Sequence, residues 1–172
     1  MPDLDQTIEG TPAGLTCDVL CSDPRWEGIS GLDRIRLLVG DAIADAGRLN
    51  EPLEVAVALG SDAEVQQLNL SYRGLDKPTN VLSFPQAAGA LPRMLGDVIV
   101  AFETCSREAE AMGIPLSDHA CHLALHGLLH LLGHDHGEER EATVMEAIET
   151  RLLAARGIAD PHAGPLLKGD HD

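Results

Sequence analysis

The sequence is poor in aromatic rings: its 172 residues include one Trp, one Tyr and two Phe. The core must therefore be built from Leu, Val, Ile and Ala, and the rows of exposed rings on which many single-strand binders stack bases are nearly absent. Basic residues are scarce as well. Lys and Arg number 12 against 28 Asp and Glu, a formal charge of −16 at pH 7, which argues at face value against a nucleic-acid partner because phosphate binding normally leaves a basic footprint. The four cysteines, Cys17, Cys21, Cys105 and Cys121, form no CxxC pair; small buried thiols in a reducing compartment are expected rather than a thiolate zinc site. No apolar run approaches the length of a bilayer span, and the opening MPDLDQTIEGTPAG has neither a basic n-region nor an apolar h-region. A soluble, cytoplasmic protein is the expectation.

What is present points to one domain, residues 1–157, followed by a Pro/Gly-rich tail over 158–172 expected to be mobile. LTCDVLC (15–21) and LEVAVAL (53–59) alternate at the period of a strand. Between them, Leu32, Ile35, Leu38, Ala42 and Ile43 recur at helical spacing before Gly47. Ser61 and Glu64 make a capping box for a helix that runs to about Arg73 and stops at Gly74. After the turn-forming segment LDKPTN, NVLSF and LGDVIVAF read as two strands. Three helices follow, over about 103–112, 119–132 (capped by Ser117 or Asp118) and 138–156. The pattern predicts an α+β fold, a small mixed sheet of about four strands with helices packed against it and a zinc site on a C-terminal helix and the turn after it.

That site rests on HGLLHLLGHDH (126–136). His126 and His130, four apart on a predicted helix, project from one face a turn apart, the geometry by which a helix grips one metal ion with two imidazoles. Gly133 lets the chain double back, so His136 can complete a three-histidine set and leave a fourth tetrahedral position open. Zinc suits this donor set, although nickel, cobalt or copper would also bind. His119 and His122 share nearly the same face and compete with the set; His122 is read as supporting or packing, His134 as pointing elsewhere, and Asp135 as either orienting an imidazole or stabilising the turn. The spacing HxxxHxxGxxH is that of metzincin peptidases, but Gly127 stands where those enzymes carry their general-base glutamate. Because zinc acidifies water to near neutrality, that absence argues against peptide hydrolysis without abolishing hydrolysis.

Taken with LNLSYRGLDKPTNVLSFP (68–85) and LGDVIVAFETCSREAEAMG (95–113), the histidine segment resembles the YbeY family of bacterial metal-dependent endoribonucleases over about residues 15–155. The resemblance implies a single-strand-specific endoribonuclease of ribosomal RNA maturation, including the 3′ end of 16S rRNA, and of ribosome quality control. It implies zinc ligands at His126, His130 and His136 and a functional arginine at Arg73, with ribosomal RNA and ribosomal proteins as partners. The family more often has Tyr where this chain has His134. Arg73 could stabilise charge on phosphate oxygens or merely cap its helix, and Lys77 could contact phosphate or solvent. Between Ser71 and Arg93, Arg73, Lys77 and Arg93 stand against Asp76 alone, a local net charge of +2 in an acidic chain. Two other readings remain open: a metallopeptidase-like hydrolase, and a non-enzymatic ribosome-assembly factor in which zinc staples the last helices.

Overall fold

The computed structural model describes residues 14–86, 93–134 and 138–162. Its strands are β1 (Leu15–Cys21), β2 (Leu53–Gly60), β3 (Val81–Pro85) and β4 (Arg93–Ala101). Its helices are α1 (Arg34–Asp45), α2 (Asp62–Arg73), α3 (Phe102–Met112), α4 (Leu116–Leu131) and α5 (Glu139–Ala155), with a short 3-10 turn at Pro24–Gly28. The sheet order is β1-β2-β4-β3; β1, β2 and β4 run parallel and β3 is an antiparallel edge strand. This is the mixed four-stranded α+β fold expected from the sequence.

Alternation along β2 decides how the sheet divides. Leu53, Val55, Val57 and Leu59 are buried on one face, whereas Glu54, Ala56 and Ala58 on the other are half-buried. The first face, with Val98 and Val100 of β4, joins a core closed by Ile35, Leu38 and Ile43 of α1 and Leu125, Leu128 and Leu129 of α4. Helix α4 is covered on nearly every side, with all but one of residues 119–131 buried. Such all-round burial marks a central helix, and α4 does pack on β3, β4, α1, α3 and α5.

On the opposite face, α2 sets Val65 and Leu68 against Leu82, Ile99, Ala101, Ala58 and Phe84. The capping box forms as read: the Ser61 hydroxyl accepts from the Glu64 amide and the Glu64 carboxylate accepts from the Ser61 amide, each at 3.1 Å. The predicted start of α4 does not. Ser117 and Asp118 lie inside the helix rather than at its cap, which is Pro115, and both side chains bind the Arg34 guanidinium instead, Asp118 at 2.8 Å and Ser117 at 3.3 Å. A tertiary ion pair has claimed the side chains that local rules assign to capping. The cysteines also depart from expectation at one position, because Cys21 is exposed while Cys17, Cys105 and Cys121 are buried.

Among the described residues, no helix is long and apolar enough to cross a membrane. Beyond the predicted end of the domain, Ile158 is buried and its amide bonds the Leu153 carbonyl at 3.0 Å; residues 163–172 lie outside the described residues.

Candidate metal centre

Histidines 119, 122, 126 and 130 fall at intervals of three, four and four along α4 and so form one stripe. Glu149 of α5, only 1% exposed, faces the middle of that stripe. One carboxylate oxygen meets His122 Nε2 at 2.8 Å and the other meets His126 Nδ1 at 2.7 Å. His162, from the segment after α5, brings its Nε2 to the first oxygen, also at 2.8 Å. Burial alone would raise the Glu149 carboxyl, but hydrogen bonds from three imidazoles overcome it and hold the group well below the ordinary carboxylate range. The His122 imidazole is lowered as well, but by burial, which outweighs the pull of Glu149. Bonding to Glu149 raises His162.

The carboxylate settles the tautomer of His126. With its Nδ1 proton donated to Glu149, the lone pair of His126 resides on Nε2, the atom left to bind something else. That atom lies 3.2 Å from His130 Nε2, with the two rings 82° apart. Either His130 donates a proton across this gap or both lone pairs face a shared cation. Two nitrogens on one tetrahedral zinc, with bonds of 2.0–2.1 Å, stand about 3.3 Å apart, so the separation of the pair matches that spacing. His136 and Asp135 lie outside the described residues. His134 is described, and its amide bonds the Leu129 carbonyl at 2.9 Å, just after Gly133 turns the chain with φ of 100°.

A second grouping shares the carboxylate. His122, Glu149 and His162 offer ligand atoms that all lie within 4.8 Å of one another, close enough to hold a metal ion. The 2.8 Å contacts to Glu149 are N–H···O distances, and one carboxylate accepting three imidazole N–H groups satisfies these buried atoms without an ion. The His126–His130 pair, by contrast, brings two ring nitrogens to 3.2 Å, a distance that suits either an N–H···N bond or a shared ion. Neither Glu149 nor His162 is singled out by the sequence reading; a lone Glu in an amphipathic helix gives no local signal.

Gly127 has a structural reason. A β-carbon there would come within 2.7 Å of Val98 Cγ1 and 2.9 Å of Ser83 Oγ, so the position next to the first histidine has no room for the glutamate of a peptidase. The Ser83 hydroxyl instead donates to the Gly127 carbonyl at 2.8 Å, pinning β3 to α4 beside His126. On the far side of the same residue, the Arg73 guanidinium donates to the Ser83 carbonyl at 3.3 Å. Arg73 and His126 are therefore joined through Ser83 and Gly127. Lys77, exposed in the turn after α2, gives its backbone carbonyl to Asn69 at 3.0 Å. Arg73 and Ser83 also line a cleft of about 730 Å³ over the open sheet face, with Tyr72, Phe84, Asp97 and Ile99.

A second imidazole–carboxylate pair lies at the start of α4, where the buried His119 Nε2 meets Oε1 of the half-buried Glu108 at 2.8 Å and Asn80 donates to the same carboxylate at 3.1 Å. This pair holds α3, α4 and the start of β3 together.

Comparison with known proteins bears on the fold and the family. A solution structure of the Thermotoga maritima protein TM1509 covers 89% of the chain with a TM-score of 0.56 at 21% identity, all of that protein being matched, which is a likeness of fold. The endoribonuclease YbeY of Rhodospirillum rubrum is 54% identical over 128 residues, 69% of this chain and 64% of its own length. That of Sphingopyxis alaskensis is 50% identical over 132 residues, 71% of this chain and 77% of its own. The aligned region thus spans just under two thirds of the first relative and rather more of the second. With the YbeY family model matching residues 32–157, from the start of the first helix to just past α5, the chain belongs to the endoribonuclease YbeY family.

Proposed function

We propose that this chain is an endoribonuclease that cleaves single-stranded RNA with one divalent zinc ion held by His126, His130 and His136. Its relatives bear the endoribonuclease name, and the observation that carries the metal half of the reading is the 3.2 Å approach of two imidazole nitrogens, one with its tautomer set by a buried carboxylate. A bound zinc ion would supply Lewis acidity and acidify water near neutral pH.

The residues of the chain do the rest. Glu149 holds the His126 ring in place through its Nδ1, which leaves Nε2 as the nitrogen turned toward the ion. Ser83 fixes the edge strand against α4, and Arg73, anchored to the same strand, presents a guanidinium to the non-bridging oxygens on which charge builds during attack at phosphorus. Gly127 keeps a carboxylate away from that charge. The substrate we infer is ribosomal RNA, with 16S rRNA 3′ end maturation and ribosome quality control as the settings and the cytoplasm as the place. An overall charge of −16 makes for weak binding of naked RNA, so ribosomal context contributes to recognition.

The test is metal content of the purified protein together with cleavage of single-stranded RNA by wild type, His126→Ala and Arg73→Ala. About one zinc per chain, cleavage abolished in His126→Ala and reduced at least 100-fold in Arg73→Ala is expected. A metal-free wild type that still cleaves RNA would overturn the metal assignment, and a zinc-loaded wild type that cleaves peptides but not RNA would overturn the substrate.

A further inference from the structure

The chain has four aromatic residues of the Phe, Tyr and Trp types, and the structure sorts them into two pairs. Trp26 meets Phe102 edge-on with ring centroids 5.0 Å apart. That pair is a core feature: Trp26 has no exposed surface, its indole N–H bonds the Gly60 carbonyl at 2.9 Å, and Arg25 covers Phe102 at 4.4 Å. Tyr72 and Phe84 form the other pair, 5.3 Å apart and tilted by 54°. Among the described residues no such cover lies over the upper ring, and Tyr72 is 71% exposed.

We propose that Tyr72, seated on Phe84 at the rim of the cleft, is a stacking platform for an unpaired base of the RNA substrate, with Arg73 on the adjoining backbone phosphate. The inference rests on the endoribonuclease reading and names the way the same site recognises its strand. Three observations carry it. The ring stands on a second ring, which restricts its orientation, so little side-chain freedom is lost when a base lands on it. It is next in sequence to Arg73, whose guanidinium is tied at 3.3 Å to the carbonyl of Ser83 on the edge strand β3, while the hydroxyl of Ser83 reaches Gly127 beside His126; the ring and the histidine pair thus flank the same edge strand. It adjoins Arg73, a cation at the rim of the cleft in a chain whose total charge is −16.

The charge balance explains why a ring is needed at all. In a strongly acidic protein, phosphate contacts alone give weak and salt-sensitive binding, whereas stacking is nearly independent of salt and of base identity because every base has a π face. Stacking also discriminates by strandedness. A paired base has both faces covered by its neighbours, so only a looped or single-stranded segment can lay one on Tyr72.

The experiment uses full-length zinc-loaded protein and a 2′-O-methyl adenosine oligomer about eight nucleotides long, beside an abasic oligomer with the same phosphates. Affinity is read by fluorescence anisotropy for wild type, Tyr72→Leu and Tyr72→Phe. Tyr72→Leu should weaken binding of the adenosine oligomer roughly tenfold or more and leave the abasic oligomer unchanged, while Tyr72→Phe retains wild-type affinity. In a Tyr72→Trp variant, indole emission should fall on addition of the adenosine oligomer, against the constant background of the buried Trp26. Equal affinities of wild type and Tyr72→Leu for the adenosine oligomer would overturn the proposal, as would an equal loss on both oligomers, which would mark an apolar surface for a protein partner. If wild type neither binds nor cleaves RNA, the endoribonuclease reading itself falls; if it cleaves and Tyr72→Leu binds as wild type does, only the stacking platform is lost.

Discussion

The two faces of the sheet are built from the same four strands and answer to different demands. On the closed face, Leu53, Val55, Val57 and Leu59 meet a helix buried on almost every side, and even the polar groups there, four imidazoles and two carboxylates, are locked into short contacts. On the open face the matching β2 positions are Ala56 and Ala58, the cover among the described residues is one helix, and Leu20 and Tyr72 stand in solvent. Small side chains on that face leave the hollow that Arg73 borders. The packed core lies in one layer and the open cleft in the other, with Ser83 as the residue that touches both.

Truncation on each face tests that division most strongly. Leu128, fully buried between α4 and the sheet, should cost about 3 kcal/mol when cut to Ala, measured by urea denaturation; Tyr72→Ala on the open face should stay within about 0.5 kcal/mol. Similar values for the two would show that the open face also carries the fold. A smaller stability effect, about 2 kcal/mol, is expected for Glu149→Ala, which strands imidazole N–H groups inside the core. The same variant should loosen zinc roughly 10–100-fold in a chelator competition, and unchanged zinc affinity would show that the carboxylate does not position His126. Gly127→Ala should come last at about 1–2 kcal/mol, because β3 and β4 must shift to admit a β-carbon now blocked at 2.7 Å by Val98; a neutral outcome would mean that the contact with β3 is loose enough to admit a side chain beside His126.

Chemical labelling offers a finer check on the closed layer. Burial pushes the Cys17 thiol up to about 11 and the Cys121 thiol up to about 12, so in the folded state few thiolates form there and neutral-pH alkylation should fall on the exposed Cys21 alone. Mass spectrometry after brief iodoacetamide treatment reads this directly.

Local rules reached far into this chain. The capping box at Ser61 and Glu64, the period-two run of β2, the stop at Gly74 and the four-residue interval between His126 and His130 are all decided by neighbours within about one helical turn or one strand, and each is where the sequence placed it. The cap of α4 was misread because Ser117 and Asp118 found a stronger partner in Arg34, more than 80 positions away along the chain. Glu149 and His162 were missed for a related reason. A carboxylate 23 residues from His126 becomes its orienting partner only when α5 docks beside α4, and nothing in its own helix distinguishes it from the other glutamates.

By itself, then, the order of residues determined which segments coil or extend, which side of β2 is apolar and which two imidazoles share a helix face, because those properties depend on backbone sterics and short-range periodicity. Tertiary packing alone decided the strand order, the carboxylate that sets the tautomer of His126, the lack of room at Gly127 and the placing of Tyr72 over Phe84. Each of these brings together groups from separate elements, and such meetings are fixed by how layers bury their apolar faces rather than by any spacing along the chain.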